Sequence, residues 1–443
     1  MNISLSDHFT YRKLFKFVWP SIVMMVFIAI YGVVDGYYVS NYSSRVGFAA
    51  VNFIFPFIML LQASGFMIGT GGSALVGKTL GEKNRKKADE LFSMFIFVDI
   101  LLGLIFTFVG LIFVKPVSIL MGASGELLDL SILYGSILAL GCIPQMLHFL
   151  FEPFLITAER PKLGLSTTII AGVGNMVLDY IFVYYFKWGV AGAGAATVIS
   201  QCLGGFTPLI YFMSKRNDSL LHLCKFKMDY KSLLKSCANG FSELLSNISM
   251  SLSGMVFNIQ LMKFFGQAGI EAYGVIMYVN FLFVSSFIGY SIGTAPIVSY
   301  HYGAKNHDEL HSILKKSLKI ISITSVLMVL CCFFFCEPIT SIFISNNQEL
   351  FTFTVETFKV YSVTFFFCGF AIYASDFFTA LNDGITSAII SFLKIMVFEI
   401  GFVFILPYLF GGEAIFVATA LSCFLADLVS LFFFIKYRKK YGY

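Results

Sequence analysis

Asn175 and Asp179 stand four residues apart within residues 172–183, a stretch otherwise apolar enough to lie in lipid. That spacing puts the amide and the carboxylate on one face of a helix. A carboxylate at bilayer depth costs about 2.5–3.5 kcal/mol at a helix centre on insertion scales, so a retained one is read as functional. Asp35, Asp99, Glu152, Asp179, Glu243, Asp376, Glu399 and Asp427 all fall inside long apolar segments, and Lys394 is the one well-embedded base. Pairing, for instance of Glu399 with Lys394, neutralises some of this charge. As a set the carboxylates predict an electronegative interior that suits organic cations, protons or metal cations and disfavours anions.

Other patterns point elsewhere. His148 and Glu152 are spaced i, i+4, as a proton-relay pair would be. His307 and His311 share that spacing near His301 and Asp308, but in a charged connection where a solvated amphipathic helix is expected. Gly65 and Gly69 form a close-packing GxxxG, not a phosphate loop, because no Lys-Ser/Thr follows. Direct use of ATP is therefore not expected, and the absence of HExxH, GxSxG and kinase signatures argues against an enzyme. The nine Cys contain no CxxC and sit mostly in apolar segments, which predicts buried packing residues and no disulfide or zinc framework. No cofactor is expected.

The elements that must hold these residues are membrane helices. Of 443 residues, 58% are hydrophobic and only 12% charged, and the mean hydropathy of +0.84 is far above that of a soluble domain. The net charge of +5 sits in short basic runs between apolar stretches, so it reports topology, and no nucleic-acid partner is expected. Twelve spans of about 20 residues or more are predicted, near 14–38, 49–76, 91–114, 130–157, 164–186, 189–213, 238–264, 271–299, 313–335, 354–381, 386–409 and 412–435. They are too long for the strands of a barrel. Residues 1–13 lead straight into the first span, which is expected to act as an uncleaved insertion signal. Of the Lys and Arg, only Arg45, Lys115, Lys187 and Lys263 fall on the odd connections, while Lys359 and Lys394 lie within spans, away from the basic cytoplasmic ends. Both termini are thus expected on the cytoplasmic side of a bacterial inner membrane.

The chain also repeats itself. Gly81-Glu-Lys83-Asn84 recurs as Gly303-Ala-Lys305-Asn306, Gly47 and Ala50 as Gly269 and Ala272, and Thr197 and Ser200 as Thr419 and Ser422, each at an offset of 222 residues. The predicted fold is an all-α polytopic protein of two six-helix lobes, residues 1–213 and 236–443, joined by a basic linker at 214–235. Six helices per lobe bring both copies in from the same side, so the pseudo-twofold axis lies along the membrane normal.

Depth then gathers a site. Asp35, Asp179 and Thr197 each lie roughly 5–12 Å below the outer boundary at 1.5 Å per residue, in a layer that can include Asn175. Two carboxylates, an amide oxygen and a hydroxyl form an all-oxygen set for a hard cation such as Na⁺, and the carboxyl pair can instead hold a proton. The alternative is that Asn175 and Asp179 only lock neighbouring helices together. The repeat puts Phe257, Val397 and Gly401 at the counterparts of Asp35, Asn175 and Asp179, so the site is expected in the N-terminal lobe alone.

On Val34 to Val39, Gly69 to Gly77 with Gly81, Asn175 to Phe182 and Gly192 to Gln201, the chain resembles the bacterial multidrug and toxic compound extrusion (MATE) family over nearly its whole length. The resemblance implies a V-shaped pair of lobes and export of cationic or amphiphilic drugs in exchange for H⁺ or Na⁺. It assigns the coupling cation to Asp35, Asn175, Asp179 and Thr197, and some relatives also use acidic groups of the second lobe, which Glu243 and Asp376 match approximately; Glu152, from its spacing to His148, is a further candidate acidic site. A monomer in the lipid bilayer is expected. The competing reading is a flippase for lipid-linked sugar or cell-wall precursors, whose anionic substrate would call for several intramembrane bases.

Overall fold

The computed structural model describes residues 3–344 and 347–443, and among them every regular element is helical. The helices are α1 (Tyr11–Tyr42), α2 (Arg45–Gly81), α3 (Arg85–Leu120), α4 (Gly125–Leu140 with Cys142–Thr157), α5 (Pro161–Tyr185) and α6 (Gly189–Met213). The second half holds α7 and α8 (the two arms of Tyr230–Gly303), α9 (His307–Phe343), α10 (Gln348–Ser362 with Thr364–Ala380), α11 (Gly384–Phe410) and α12 (Gly412–Tyr441). The arms α7 and α8 meet at Gly266, whose φ of 61° and ψ of −146° are open to glycine but strained for other residues. Twelve apolar helices in two six-helix lobes bear out the expected fold class.

The helices outrun the apolar stretches because polar caps, not hydropathy, end them. Asn84, Asp229, Asn306 and Asp383 each accept a backbone N–H from the first turn of the helix that follows, a contact worth about 1 kcal/mol. This also explains the clearest repeat. In both copies a helix ends at the glycine (Gly81, Gly303), the lysine turns the chain in the left-handed region (Lys83 φ 61°, Lys305 φ 55°), and the asparagine caps the next helix.

Two features were not expected. Spans four and ten are bent, by 56° at Gly141 and by 42° near Val363. Two helices also widen into π turns, at Tyr180–Tyr185 in α5 and Leu393–Glu399 in α11.

The lobes meet closely only at the end that carries both termini. There α2 lies against α7 and α8 with no room for side chains: a Cβ on Gly71 would overlap the Ser236 carbonyl, and one on Gly303 the Lys78 carbonyl. Toward the other end Gly32 and Gly36 of α1 and Gly254 and Gly274 of α7 and α8 have open space beside them. The lobes therefore diverge as a V. Segment 3–9 crosses the closed end, bonding Glu159 through Ser4 and Leu5 and Glu309 through His8 and Phe9. Segment 214–229 runs back along α3, where the His222 N–H donates to Asp89 at 2.8 Å. It is pinned by Asp218, whose carboxyl the Arg160 guanidinium, 2.6 Å away, holds below the usual carboxylate range.

Candidate functional site

Each lobe encloses a cavity. That of the N-terminal lobe is about 380 Å³ and is bordered by Asp35 from α1, Asn175 from α5 and Thr197 from α6. Asp179 is fully buried one turn beyond Asn175, and its carboxyl and that of Asp35 face one another closely enough to interact directly. Neither closes a hydrogen bond: Asp35 Oδ1 and both Asp179 oxygens have no partner among the described residues. The Thr197 hydroxyl donates to the Ala193 carbonyl at 2.9 Å, which leaves its oxygen free to accept. The fold thus brings together the four residues that depth alone had placed in one layer.

Buried acceptors without donors are costly, so two opposed carboxyls in this setting call for a proton or a small cation between them. No Lys or Arg borders the cavity. The π turn Tyr180–Tyr185 begins directly after Asp179, and such widened turns recur where a side chain must be re-aimed at a functional site. Two phenols that the sequence reading passed over stand in the field of the pair. Tyr31 lies near both Asp35 and Glu152, and Tyr134 near both Asp35 and Asp179. Tyr31 was within reach of sequence reasoning, because it precedes Asp35 by one helical turn. Tyr134 was not, because the facing of α4 depends on its bend. Glu152 lies off the cavity wall, enclosed, with His148 Nε2 3.7 Å from its Oε1, and His148 itself borders the cavity.

The C-terminal lobe encloses about 470 Å³. The counterparts Phe257, Val397 and Gly401 are apolar as expected, yet a second carboxyl pair is built from other positions. Glu243 of α7 and Asp376 of α10 face one another and border this cavity. Lys394 and Glu399 border it too. In a regular α-helix residues five apart diverge by about 140°; the π turn Leu393–Glu399, with its i→i+5 bonding, swings them onto one side. The expected Lys394–Glu399 pair does not form. Glu399 Oε1 instead accepts the Thr419 hydroxyl at 3.1 Å, and among the described residues no carboxylate comes within 4.0 Å of the Lys394 ammonium. Asp99 is separate from both cavities, fully buried on α3 with both oxygens unpartnered.

The MatE family model matches the chain twice, at residues 20–181 and 244–405. The chain belongs to the MatE family. The two matches start 224 residues apart, one model for each six-helix copy. Among curated relatives, the multidrug export protein MepA of Staphylococcus aureus (strain MRSA252) is 24% identical over 404 residues, covering 90% of this chain and 88% of the relative. MepA of Staphylococcus saprophyticus is 23% identical over 322 residues, 73% and 70% of the two chains. Two solved structures share the MatE fold across nearly the full length. One is the outward-facing conformation of a multidrug resistance MATE family transporter of the MOP superfamily (TM-score 0.91, 21% identity, 98% and 97% of the chains). The other is a MOP superfamily transporter from Pyrococcus furiosus, described as having reversed polarity of its binding pocket (TM-score 0.90, 20% identity, 98% of each). At these identities the likeness is one of fold.

Proposed function

We propose that this MatE protein exports organic cations and amphiphilic drugs in exchange for H⁺ or Na⁺, by alternating access between lobes 1–213 and 236–443. The observation that carries the reading is the opposed, partnerless pair Asp35–Asp179 beside a cavity with no Lys or Arg in its wall among the described residues. The multidrug export function named for the staphylococcal relatives supports it.

With the termini on the cytoplasmic side, the V opens outward. In that state a cation entering the N-terminal cavity settles on Asp179 and Asp35, with Asn175 and Thr197 as neutral oxygen donors. It removes the negative charge that holds the organic cation, and the drug leaves. Exchange follows from competition for one pair of carboxyls. One charge crossing 100 mV is worth about 2.3 kcal/mol, which at ~1.4 kcal/mol per decade sustains a drug gradient of roughly fiftyfold. A flippase of anionic precursors is disfavoured because, among the described residues, the N-terminal cavity offers an anion no Lys or Arg. The test is efflux of a fluorescent organic cation from everted vesicles energised separately by a proton or a sodium gradient. Export driven by one of them supports the reading, and export driven by neither, or unchanged in Asp179→Asn, overturns it.

A further inference from the structure

The wall of the C-terminal cavity carries charges of both signs. Lys394 is half-buried, borders the cavity, and has three N–H donors with no acceptor in reach among the described residues. The inward end of the same wall holds the opposed carboxyls of Glu243 and Asp376. The spacing of the two stations follows from the serine contacts. The Ser375 hydroxyl lies 2.8 Å from that of Ser391, so Asp376 and Ser391 stand at one level, and Lys394 is three residues further along α11. That is about 4.5 Å of helical rise, so the two stations stand at successive levels of one wall. The wall also carries apolar, adaptable side chains, Met250, Met277 and Phe281 among them, and the volume of about 470 Å³ is that of a site for a drug-sized ligand.

A simple organic cation fits this cavity poorly, because Lys394 repels it, and a simple anion meets the carboxyls. A molecule with both charges pairs each station with its opposite. We propose that the C-terminal cavity is a second ligand site, for amphiphilic zwitterions. The ligand carboxylate sits on the Lys394 ammonium and its protonated amine on the Glu243 and Asp376 carboxyls. The inference rests on the transport reading above and extends its substrate class to a compartment the N-terminal cavity does not duplicate. Glu399, held by Thr419, and Asp427, with one oxygen unpartnered, supply the competing role for Lys394, that of a resident counter-ion for these two acids.

Two dyes that differ in one ester separate the roles: tetramethylrhodamine free acid, a zwitterion, and its methyl ester, a cation. Their binding to the purified full-length chain in lipid nanodiscs is read by fluorescence anisotropy. The free acid is expected to bind the unaltered protein at least as tightly as the ester. Lys394→Gln is expected to weaken the free acid about tenfold, or ~1.4 kcal/mol, without weakening the ester, and Lys394→Arg to restore the free acid. Equal weakening of both dyes assigns Lys394 to the counter-ion role and overturns the proposal, as does a free acid indifferent to Lys394. Gradient-driven export of the ester from everted vesicles is measured alongside. If the ester is exported while the free acid ignores Lys394, the second site falls and the transport reading stands. If neither dye is exported under any gradient, both fall.

Discussion

Asp35 and Asp179 face one another beside a cavity whose wall, among the described residues, holds no Lys or Arg, whereas Glu243 and Asp376 share theirs with Lys394. Both cavities grew from one duplicated six-helix scaffold, and Thr197 and Thr419 still occupy matching positions in them. Subtracting the repeat offset places Lys394 at the position of Gly172, one turn from Asn175. The copy without carboxylates at the matching positions thus carries a tethered cation near the same spot. The lesson is about supply. The N-terminal acids need a cation from outside, which is what an exchanger requires, while the C-terminal lobe carries a positive charge that cannot leave.

The comparison breaks first on the acids. Asp179→Asn is expected to lower gradient-driven efflux of the cationic dye by about a hundredfold or more, since the pair that receives the exchanging cation is lost. Asp376→Asn is expected to cost less than about tenfold for the same dye, because the N-terminal pair still takes the exchanging cation. Equal losses in the two variants would mean that both lobes couple, and the asymmetry drawn from Lys394 would be wrong.

The next test concerns the face the lobes share. Gly71→Val forces a side chain into the Ser236 carbonyl at the closed end, and overpacking of this kind costs about 1–3 kcal/mol. The lobes are expected to part there, read as faster hydrogen exchange at 236–240 and slower efflux. Unchanged exchange would show that the contact yields without separating the lobes.

The connections between the first two helices of each copy also differ. In the N-terminal lobe α1 and α2 are joined through Ser43 and Ser44, and the Ser44 hydroxyl accepts the Gly47 N–H at 2.9 Å. In the C-terminal lobe the same corner is Gly266 alone. Gly266→Ala is expected to cost about 1–3 kcal/mol of stability, because its backbone conformation is essentially confined to glycine. Ser44→Ala, which removes only a cap, is expected to cost about 1 kcal/mol. Thermal unfolding of the two variants in the same detergent ranks them, and the reverse order would sink the account of the corner.

Much of this was legible before any coordinates. Hydropathy and the 222-residue offset were enough for twelve helices in two copies, and one rise per residue from the outer boundary was enough to set Asp35, Asn175, Asp179 and Thr197 in a layer. What escaped depends on rotation about helix axes, which sequence spacing fixes only while a helix is regular. The π turn in α11 set Lys394 and Glu399 on one side of the cavity, and the bend at Gly141 aimed Tyr134 at the Asp35–Asp179 pair. Glu243 and Asp376 sit at no symmetric counterpart of the first pair, so the repeat could not announce that they meet. In place of the expected Glu399–Lys394 pairing, Glu399 accepts a hydroxyl from one helix away, that of Thr419.

What joins the two lobes gives the smallest expected effect. Segment 3–9 is a strap: Leu5 and Phe9 are fully buried, the Leu5 N–H donates to Glu159 Oε1 of one lobe at 2.6 Å, and the Phe9 N–H to Glu309 Oε1 of the other at 2.9 Å. Glu309 also meets His8 Nδ1 at 2.5 Å, but the His8 side chain is 68% exposed, so solvent screens most of that attraction. Glu309→Gln keeps an acceptor for the Phe9 N–H and loses only the charge, so it is expected to cost ~1 kcal/mol at most. Phe9→Ala empties a buried site, at about 3–5 kcal/mol if the strap stays docked. Because the strap can instead detach, the cost is capped by its own docking energy. Hydrogen exchange at residues 5–9 distinguishes the two substitutions: fivefold faster or less is expected in Glu309→Gln, and free exchange in Phe9→Ala. If Glu309→Gln alone frees the strap, the charge and not the buried ring holds it across the lobes.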